Sequence, residues 1–257
     1  MHLNFFIAGV QKSGTTALDA MLRRHPAIEM AAQKEPHFFD NDTLDWGKPD
    51  YGVLHGFYDR TGADRLRGEA TPIYTYWPQS LERLKAYNPA AKLIVGLRHP
   101  AFRAFSHWRM ETSRSAEELS FSDAIREGRQ RVREAPGGVH RVYSYVERGF
   151  YSAQVHRLLS LFPREQIWFF RTDEFWRAPK ETLDAVLVFL GAEAAPLISG
   201  AEYIVPVQSR PDLEFAGADR RYLLDLFCRD IERTAEATGL ELTDWLASDY
   251  FEPMSPA

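Results

Sequence analysis

The sequence predicts an α/β fold, in which a central parallel sheet is flanked by helices. Three short apolar runs, at residues 3–8, 92–97 and 167–170, favour buried parallel strands. Apolar residues at helical spacing follow them, as Leu18 and Leu22 do after the first run. Strands that alternate with helices in this way imply a doubly wound parallel sheet.

The composition is that of an ordinary globular protein. Of 257 residues, 45% are hydrophobic and 26% are charged, which suits a single domain over residues 1–257. The net charge of −5 gives no general attraction to nucleic acid or to an anionic membrane, so an anion site must be local. The single cysteine, Cys228, excludes an internal disulfide. Neither a secretory leader nor a membrane-spanning segment is recognisable, and we expect a cytoplasmic protein.

Helix-breaking and helix-capping residues indicate where the helices and strands of the first half of the chain begin and end. Pro26 interrupts the helical pattern, and residues 27–31 are expected to form a short strand or an extended segment. Residues 51–58 predict a short helix. Ser80 is expected to be the N-cap of a helix that runs through Tyr87.

The second half of the chain is predicted in the same way. Pro100 is expected in the first turn of a helix that follows the strand 92–97. Residues 111–138 carry charges of both signs, and we expect a solvated, mobile insertion over the site. The remaining predicted helices are one that ends before Pro163, one over residues 179–190 that ends at Gly191, and a last one with Leu224, Phe227, Ile231 and Ala235 on its buried face.

The loop between the first strand and the first helix has a composition suited to phosphate binding. It reads Gly9-Val10-Gln11-Lys12-Ser13-Gly14-Thr15-Thr16. In such a setting backbone N–H groups and the positive end of the helix dipole converge on one point. The ATP-binding loop G-x-x-x-x-G-K-[ST] has its lysine where Thr15 stands here, whereas Lys12 lies inside the loop. The predicted fold is therefore P-loop-like; the alternative is a tight turn with an exposed lysine.

A cation follows the second clear strand. A triphosphate site with magnesium usually has an acidic residue at a neighbouring strand end, but this strand is followed by Arg98. Arg98 thus disfavours a metal site and favours a second anion. Ligands of open parallel sheets bind beyond the carboxyl ends of the strands, so we expect Lys12 and Arg98 to converge on one ligand with two anionic groups.

Together these segments resemble the sulfotransferases that use 3′-phosphoadenosine 5′-phosphosulfate (PAPS), in particular the branch that contains the heparan sulfate sulfotransferases. The resemblance covers nearly the whole chain and includes Gly149-Phe150-Tyr151 and the run Tyr222 to Trp245. It implies sulfuryl transfer from PAPS, without a metal, to a hydroxyl or amine of a carbohydrate or small-molecule acceptor. Neither nucleic acid nor a membrane span is expected.

The resemblance also implies roles for individual residues. Lys12 would contact the phosphosulfate and stabilise the charge on the leaving 5′-phosphate. Glu35, which is followed by His37-Phe38-Phe39, would be the general base, with a pKa raised by its aromatic setting. The nucleotide-binding residues implied are Lys12, Ser13, Gly14, Thr15 and Thr16 in the loop, Arg98 and Ser106 at the 3′-phosphate, and Arg210 in a closing loop.

One departure from the family pattern concerns a cation. The branch commonly has a lysine two residues before the proline in the segment that resembles Gly68-Glu69-Ala70-Thr71-Pro72, and Ala70 occupies that place here. Either the second cation near the sulfuryl group is absent, or Lys34 or an arginine of the insertion substitutes for it.

Alternatives exist for the base and for the function. His37, His99 and His107 are rival bases, because imidazole titrates near neutral pH. The alternative functions are a P-loop nucleotide kinase, which would need ATP and magnesium, and a non-catalytic nucleotide-binding module.

Overall fold

In the described part of the chain, five parallel strands form one sheet in the order β2-β3-β1-β4-β5. This arrangement confirms the predicted α/β fold. The third strand was not predicted, because an arginine, a glycine and a glutamate interrupt its apolar pattern. The strands are β1 Phe5–Gly9, β2 Ile28–Met30, β3 Leu66–Ala70, β4 Lys92–Leu97 and β5 Ile167–Arg171.

The structure is a computed structural model that describes residues 2–59, 65–193 and 215–253. Its contacts divide the chain into two units. The sheet unit comprises the described residues 2–59, 65–97 and 157–193. The helical unit comprises the described residues 98–156 and 215–253. The single domain expected over residues 1–257 stays a prediction.

The helices agree with most of the predicted bounds. A helix begins at Ser80, but Gln79 is its N-cap, so the capping role expected of Ser80 is wrong. Gly191 ends another with a φ of 81°, which suits a residue without a Cβ. The α-helices of the described residues are α1 Thr15–Leu22, α2 Tyr51–His55, α3 Ser80–Tyr87, α4 Pro100–Ser113, α5 Phe121–Ala124, α6 Gln130–Arg133, α7 Tyr151–Leu161, α8 Thr172–Arg177, α9 Pro179–Leu190 and α10 Gly217–Thr238.

The buried face of α10 is rotated from the predicted one. Phe227 and Ile231 are buried as expected, but Leu223 and Thr234 replace Leu224 and Ala235 on that face.

No helix among residues 2–59, 65–193 and 215–253 is both long and apolar enough to cross a bilayer.

The expectation of a solvated insertion at residues 111–138 holds only in part, because buried residues alternate there with exposed ones. The side chain of Glu117 is fully buried and lies 2.7 Å from Arg131, while the hydroxyl of Tyr145 donates to it at 3.0 Å. Arg126 forms an ion pair with Asp219 of α10 at 2.6 Å. Buried charges need partners, and these ion pairs fix the segment within the helical unit.

Candidate functional site

The loop after β1 adopts a geometry suited to an anion. Gly14 is the N-cap of α1 with a φ of 81°, and no side chain of the described residues caps this helix. The first N–H groups of a helix have no acceptor within it, so they point toward whatever lies before the helix. A Cβ at Gly14 would lie 3.0 Å from the ring of Phe175, so this position also favours glycine. Lys12 precedes this helix start by two residues and itself has a φ of 73°.

Ser13 shapes the loop from inside. It is fully buried, and its hydroxyl donates to the carbonyl oxygen of Val10 at 2.6 Å. The hydroxyl of Thr172 in turn donates to the Ser13 carbonyl at 3.1 Å. The Ser13 hydroxyl is therefore used within the loop, and the role expected of Ser13 in nucleotide binding stays a prediction. Thr15 is buried and Thr16 is exposed at the start of α1.

The segment that carries Glu35 is attached to the same edge of the sheet. The backbone N–H of Glu35 donates to the carbonyl oxygen of Ala70, the last residue of β3, at 3.0 Å. Ala70 is paired with Ile7 of β1, the strand that leads into the Lys12 loop. The predicted phosphate loop thus follows β1, and the predicted base is hydrogen-bonded to the carboxyl end of the neighbouring strand β3 in the same unit.

Glu35 belongs to a chain of paired charges. Lys34 Nζ lies 2.5 Å from one carboxylate oxygen, and His37 Nε2 lies 3.5 Å from the other. The second ring nitrogen of His37 lies 2.8 Å from the buried carboxylate of Asp40. The imidazole is therefore held between two carboxylates.

The charges of this cluster reverse the expected pKa shift of Glu35. Burial alone would raise the pKa of Glu35, but the hydrogen bond with His37 and the charge of Lys34 lower it to about 2. The hydrogen bonds to Asp40 and Glu35 raise the pKa of His37 to about 9. The raised pKa predicted for Glu35 is wrong. Glu35 is ionised and His37 is protonated at neutral pH.

The rival bases fit the role poorly. His37 is already protonated and cannot accept a further proton. His99 is buried, and burial lowers its pKa to about 4; its Nε2 lies 3.1 Å from the carbonyl oxygen of Trp245. His107 is fully buried, with Nε2 3.6 Å from Glu111. Glu35 is therefore the best candidate base.

Glu69 of β3 is a buried acid that the sequence analysis did not single out. Its side chain is fully buried, and neither carboxyl oxygen meets hydrogen-bond geometry with a partner in the described ranges. Burial raises the pKa of Glu69 to about 7, against the lowering effect of the Tyr74 and Thr71 hydroxyls, and the nearby Asp40 raises it further. No sequence pattern marked Glu69, because the strand that carries it was not predicted.

Backbone conformation marks the same residues. Of the residues that the structure describes, five that are not glycine have a positive φ: Lys12, Glu35, His37, Gln79 and Ser115. The left-handed region is costly for residues with a Cβ, and such residues concentrate at functional sites. Three of the five belong to the predicted loop or to the Glu35 cluster.

The helical unit contains the residues expected at the 3′-phosphate. Arg98 forms an ion pair with Glu252. The carbonyl oxygen of Arg98 accepts a hydrogen bond from the Tyr151 hydroxyl at 2.8 Å. Ser106 is buried on α4, and the fully buried Arg103 donates to the carbonyl of Tyr145. The expected convergence of Lys12 and Arg98 on one ligand stays a prediction.

Arg210 lies outside the described residues. Within the described ranges, no group of three or more His, Cys, Asp or Glu residues is arranged to hold a metal ion.

The charge cluster predicts a pH-dependent stability. Because the pKa of His37 is raised, its protonated form stabilises the folded state. This stabilisation is complete below about pH 6.5 and is lost as the pH rises through about 9. Because the pKa of Glu35 is lowered, its ionised form also stabilises the folded state. This stabilisation is complete above about pH 4.5 and is lost as the pH falls toward 2. His37→Gln should therefore lower the free energy of unfolding at pH 5.5 and have a smaller effect at pH 9.5, as measured by urea denaturation.

The exposed His2 provides the control for that measurement. His2→Gln should have little effect at either pH. A loss of stability in His37→Gln that is equal at pH 5.5 and 9.5 would contradict the ionic role of His37.

Comparisons with known proteins find a matching family model and similar sequences. The family model described as "Sulfotransferase domain" matches residues 3–205. Heparan sulfate glucosamine 3-O-sulfotransferase 6 of Mus musculus is 33% identical over 185 residues, which are 72% of this chain and 51% of that protein. The chain thus spans about half the length of the curated relatives it matches.

Solved structures show the same architecture. A sulfotransferase from Alicyclobacillus acidocaldarius aligns with a TM-score of 0.82 and 28% identity, over 95% of this chain and 99% of that one. Mouse sulfotransferase SULT7A1 complexed with PAP aligns with a TM-score of 0.50 and 13% identity, over 95% of this chain and 88% of that one; this likeness concerns the fold alone.

Proposed function

The chain belongs to the sulfotransferase domain family, and from this premise we propose that it transfers a sulfuryl group from PAPS to a hydroxyl or amine of an acceptor. One observation carries the proposal. The Lys12 loop follows β1, and Glu35 is hydrogen-bonded to the end of the neighbouring strand β3. A cation for the leaving group and a carboxylate base therefore lie at the same edge of one sheet.

The loop fits the 5′ end of the donor. The donor supplies the sulfuryl group and a 5′-phosphate as the leaving group. The start of α1 offers N–H groups without intrahelical acceptors, and no described side chain caps it. Lys12 stabilises the charge that develops on the leaving phosphate oxygen, which is the task of a preorganised cation.

Glu35 takes the acceptor proton. The acceptor oxygen or nitrogen forms a bond to sulfur while the bond from sulfur to the 5′-phosphate oxygen breaks, and the acceptor proton moves to the Glu35 carboxylate. With a pKa of about 2, Glu35 is ionised throughout the neutral range. The imidazolium of His37, held by Asp40, fixes the carboxylate in place.

Lys34 replaces the cation that the family pattern has at Ala70. Its ammonium lies at Glu35, whose backbone is bonded to Ala70, so the charge occupies the neighbourhood of the missing lysine. A shift of Lys34 from Glu35 to the sulfuryl group would remove one of the effects that lower the pKa of Glu35. The base would then strengthen when the donor binds.

We assign the acceptor to the carbohydrates, because several of the matched curated relatives are named as heparan sulfate glucosamine 3-O-sulfotransferases. A transfer assay with radiolabelled sulfate in the donor, run against a panel of sugars, phenols and amines, tests this assignment. Transfer to phenols alone would overturn it.

Nucleotide binding provides the first test of the proposed function. Adenosine 3′,5′-bisphosphate without metal is expected to raise the melting temperature, because a ligand at 100 times its Kd stabilises a fold by about 2.7 kcal/mol. ATP with magnesium should raise it less. The opposite order in a thermal-shift titration would favour a kinase, and no shift with either would contradict both functions.

A further inference from the structure

The segment of residues 247–253, which we call the strap, packs against the start of α4 in the helical unit. The ring of Tyr250 stacks on His99 with centroids 4.8 Å apart and an angle of 17°, and it meets Phe102 edge-on at 5.9 Å. Arg220 of α10 donates to the Tyr250 carbonyl. The strap is thus held by several contacts around Tyr250.

These contacts bring Glu252 to Arg98. The guanidinium Nε lies 2.9 and 3.1 Å from the two carboxylate oxygens, and Nη2 lies 2.5 Å from one of them. The side chains of Arg98 and Glu252 are only 14% and 6% exposed. A planar guanidinium that donates to two oxygens of a carboxylate uses the same N–H edge that would donate to two oxygens of a phosphate.

Arg109 is a second cation of the helical unit. Burial and the charge of Arg98 lower the pKa of Arg109 on α4. Its Nη2 is buried and has no hydrogen-bond partner among residues 2–59, 65–193 and 215–253, and its guanidinium faces the ring of Phe105 at 5.7 Å. Two guanidinium groups and one carboxylate leave an excess of one positive charge. A phosphate with nearly two negative charges would balance both arginines better than a carboxylate does.

We propose that Glu252 is an internal competitor for the 3′-phosphate of the nucleotide: the phosphate displaces the Glu252 carboxylate from Arg98 and gains Arg109 as a second cation. The inference rests on the proposed function, since it uses the 3′-phosphate that the sulfuryl donor carries. Glu252 weakens the binding of the donor and of the bisphosphate product alike, because both must displace it. Arg109 is a 3′-phosphate ligand that acts only after this exchange.

Calorimetric titration of three variants tests the exchange. Glu252→Gln should tighten the binding of adenosine 3′,5′-bisphosphate about tenfold, because a charged hydrogen-bonded competitor is removed, and leave adenosine 5′-monophosphate unchanged. Arg109→Gln should weaken the bisphosphate alone. Asp249→Asn removes the same charge from an exposed position of the strap. It should alter the affinity for neither nucleotide.

Hydrogen exchange on the unmodified protein gives a test that needs no variant. Saturation with the bisphosphate should speed amide exchange in the strap, whereas the monophosphate should not. Equal or weaker bisphosphate binding in Glu252→Gln, or a strap that exchanges no faster, would overturn the inference. If the bisphosphate binds none of the proteins, the proposed function fails with it; if it binds all of them equally, only the exchange is wrong.

Discussion

Replacing Glu35 by glutamine should lower the turnover number by about 10²- to 10⁴-fold, the usual contribution of a general base. Glutamine keeps the size of the side chain and can still accept a hydrogen bond from Lys34 or His37, but it cannot take the acceptor proton. Because the base acts on the acceptor, the affinity for adenosine 3′,5′-bisphosphate should change little. Steady-state transfer rates and calorimetric titration on the same preparation measure both quantities.

Glu82 is the matched control for this substitution. It is also a carboxylate in an ion pair, with Arg157, and the hydrogen bond from that arginine lowers its pKa. Glu82→Gln should therefore lose an ion pair without losing turnover. Turnover that survives in Glu35→Gln would place the base elsewhere, and an equal loss in both variants would indicate a general effect of removing a carboxylate.

The sheet was predictable where strands are mostly apolar. The apolar runs at residues 3–8, 92–97 and 167–170 overlap β1, β4 and β5, whose residues are nearly all buried. β3 carries Arg67 and Glu69, and both side chains are nevertheless buried. Arg67 pairs with Glu29 of β2 at 3.0 Å, a partner 38 residues away that no local pattern reveals.

The sequence indicated which segments carry the candidate residues, but it did not indicate their electrostatics. The sequence places aromatic residues after Glu35, which suggested an apolar setting and a raised pKa. In the structure a positive φ at Glu35 and at His37 accompanies an arrangement in which the imidazole lies against the carboxylate, and the shift is reversed. The partner of Arg98 is Glu252, 154 residues along the chain, and only the fold can bring that carboxylate to it.

Replacing Lys12 by methionine is expected to lower kcat/KM by about 10²- to 10³-fold, the cost of removing one preorganised group that stabilises developing charge. Methionine retains the apolar part of the side chain and removes only the ammonium. Lys12→Arg should retain more activity than Lys12→Met, because a cation remains in the loop. The exposed Lys48 serves as the control, and Lys48→Met should leave the transfer rate unchanged.

Lys12→Gly separates loss of charge from loss of fold. Lys12 has a φ of 73°, a conformation that costs about 1–2 kcal/mol in a residue with a Cβ. Glycine relieves this strain but gives the unfolded chain about 0.5–1 kcal/mol of extra entropy, so the free energy of unfolding should not fall. Activity should nevertheless fall as far as in Lys12→Met, because the ammonium is gone. Chemical denaturation and transfer assays on the same variant measure the two effects. A fully active Lys12→Gly variant would show that Lys12 has no role in the reaction. An inactive variant that is no less stable would show that the strained backbone conformation serves to position the ammonium group.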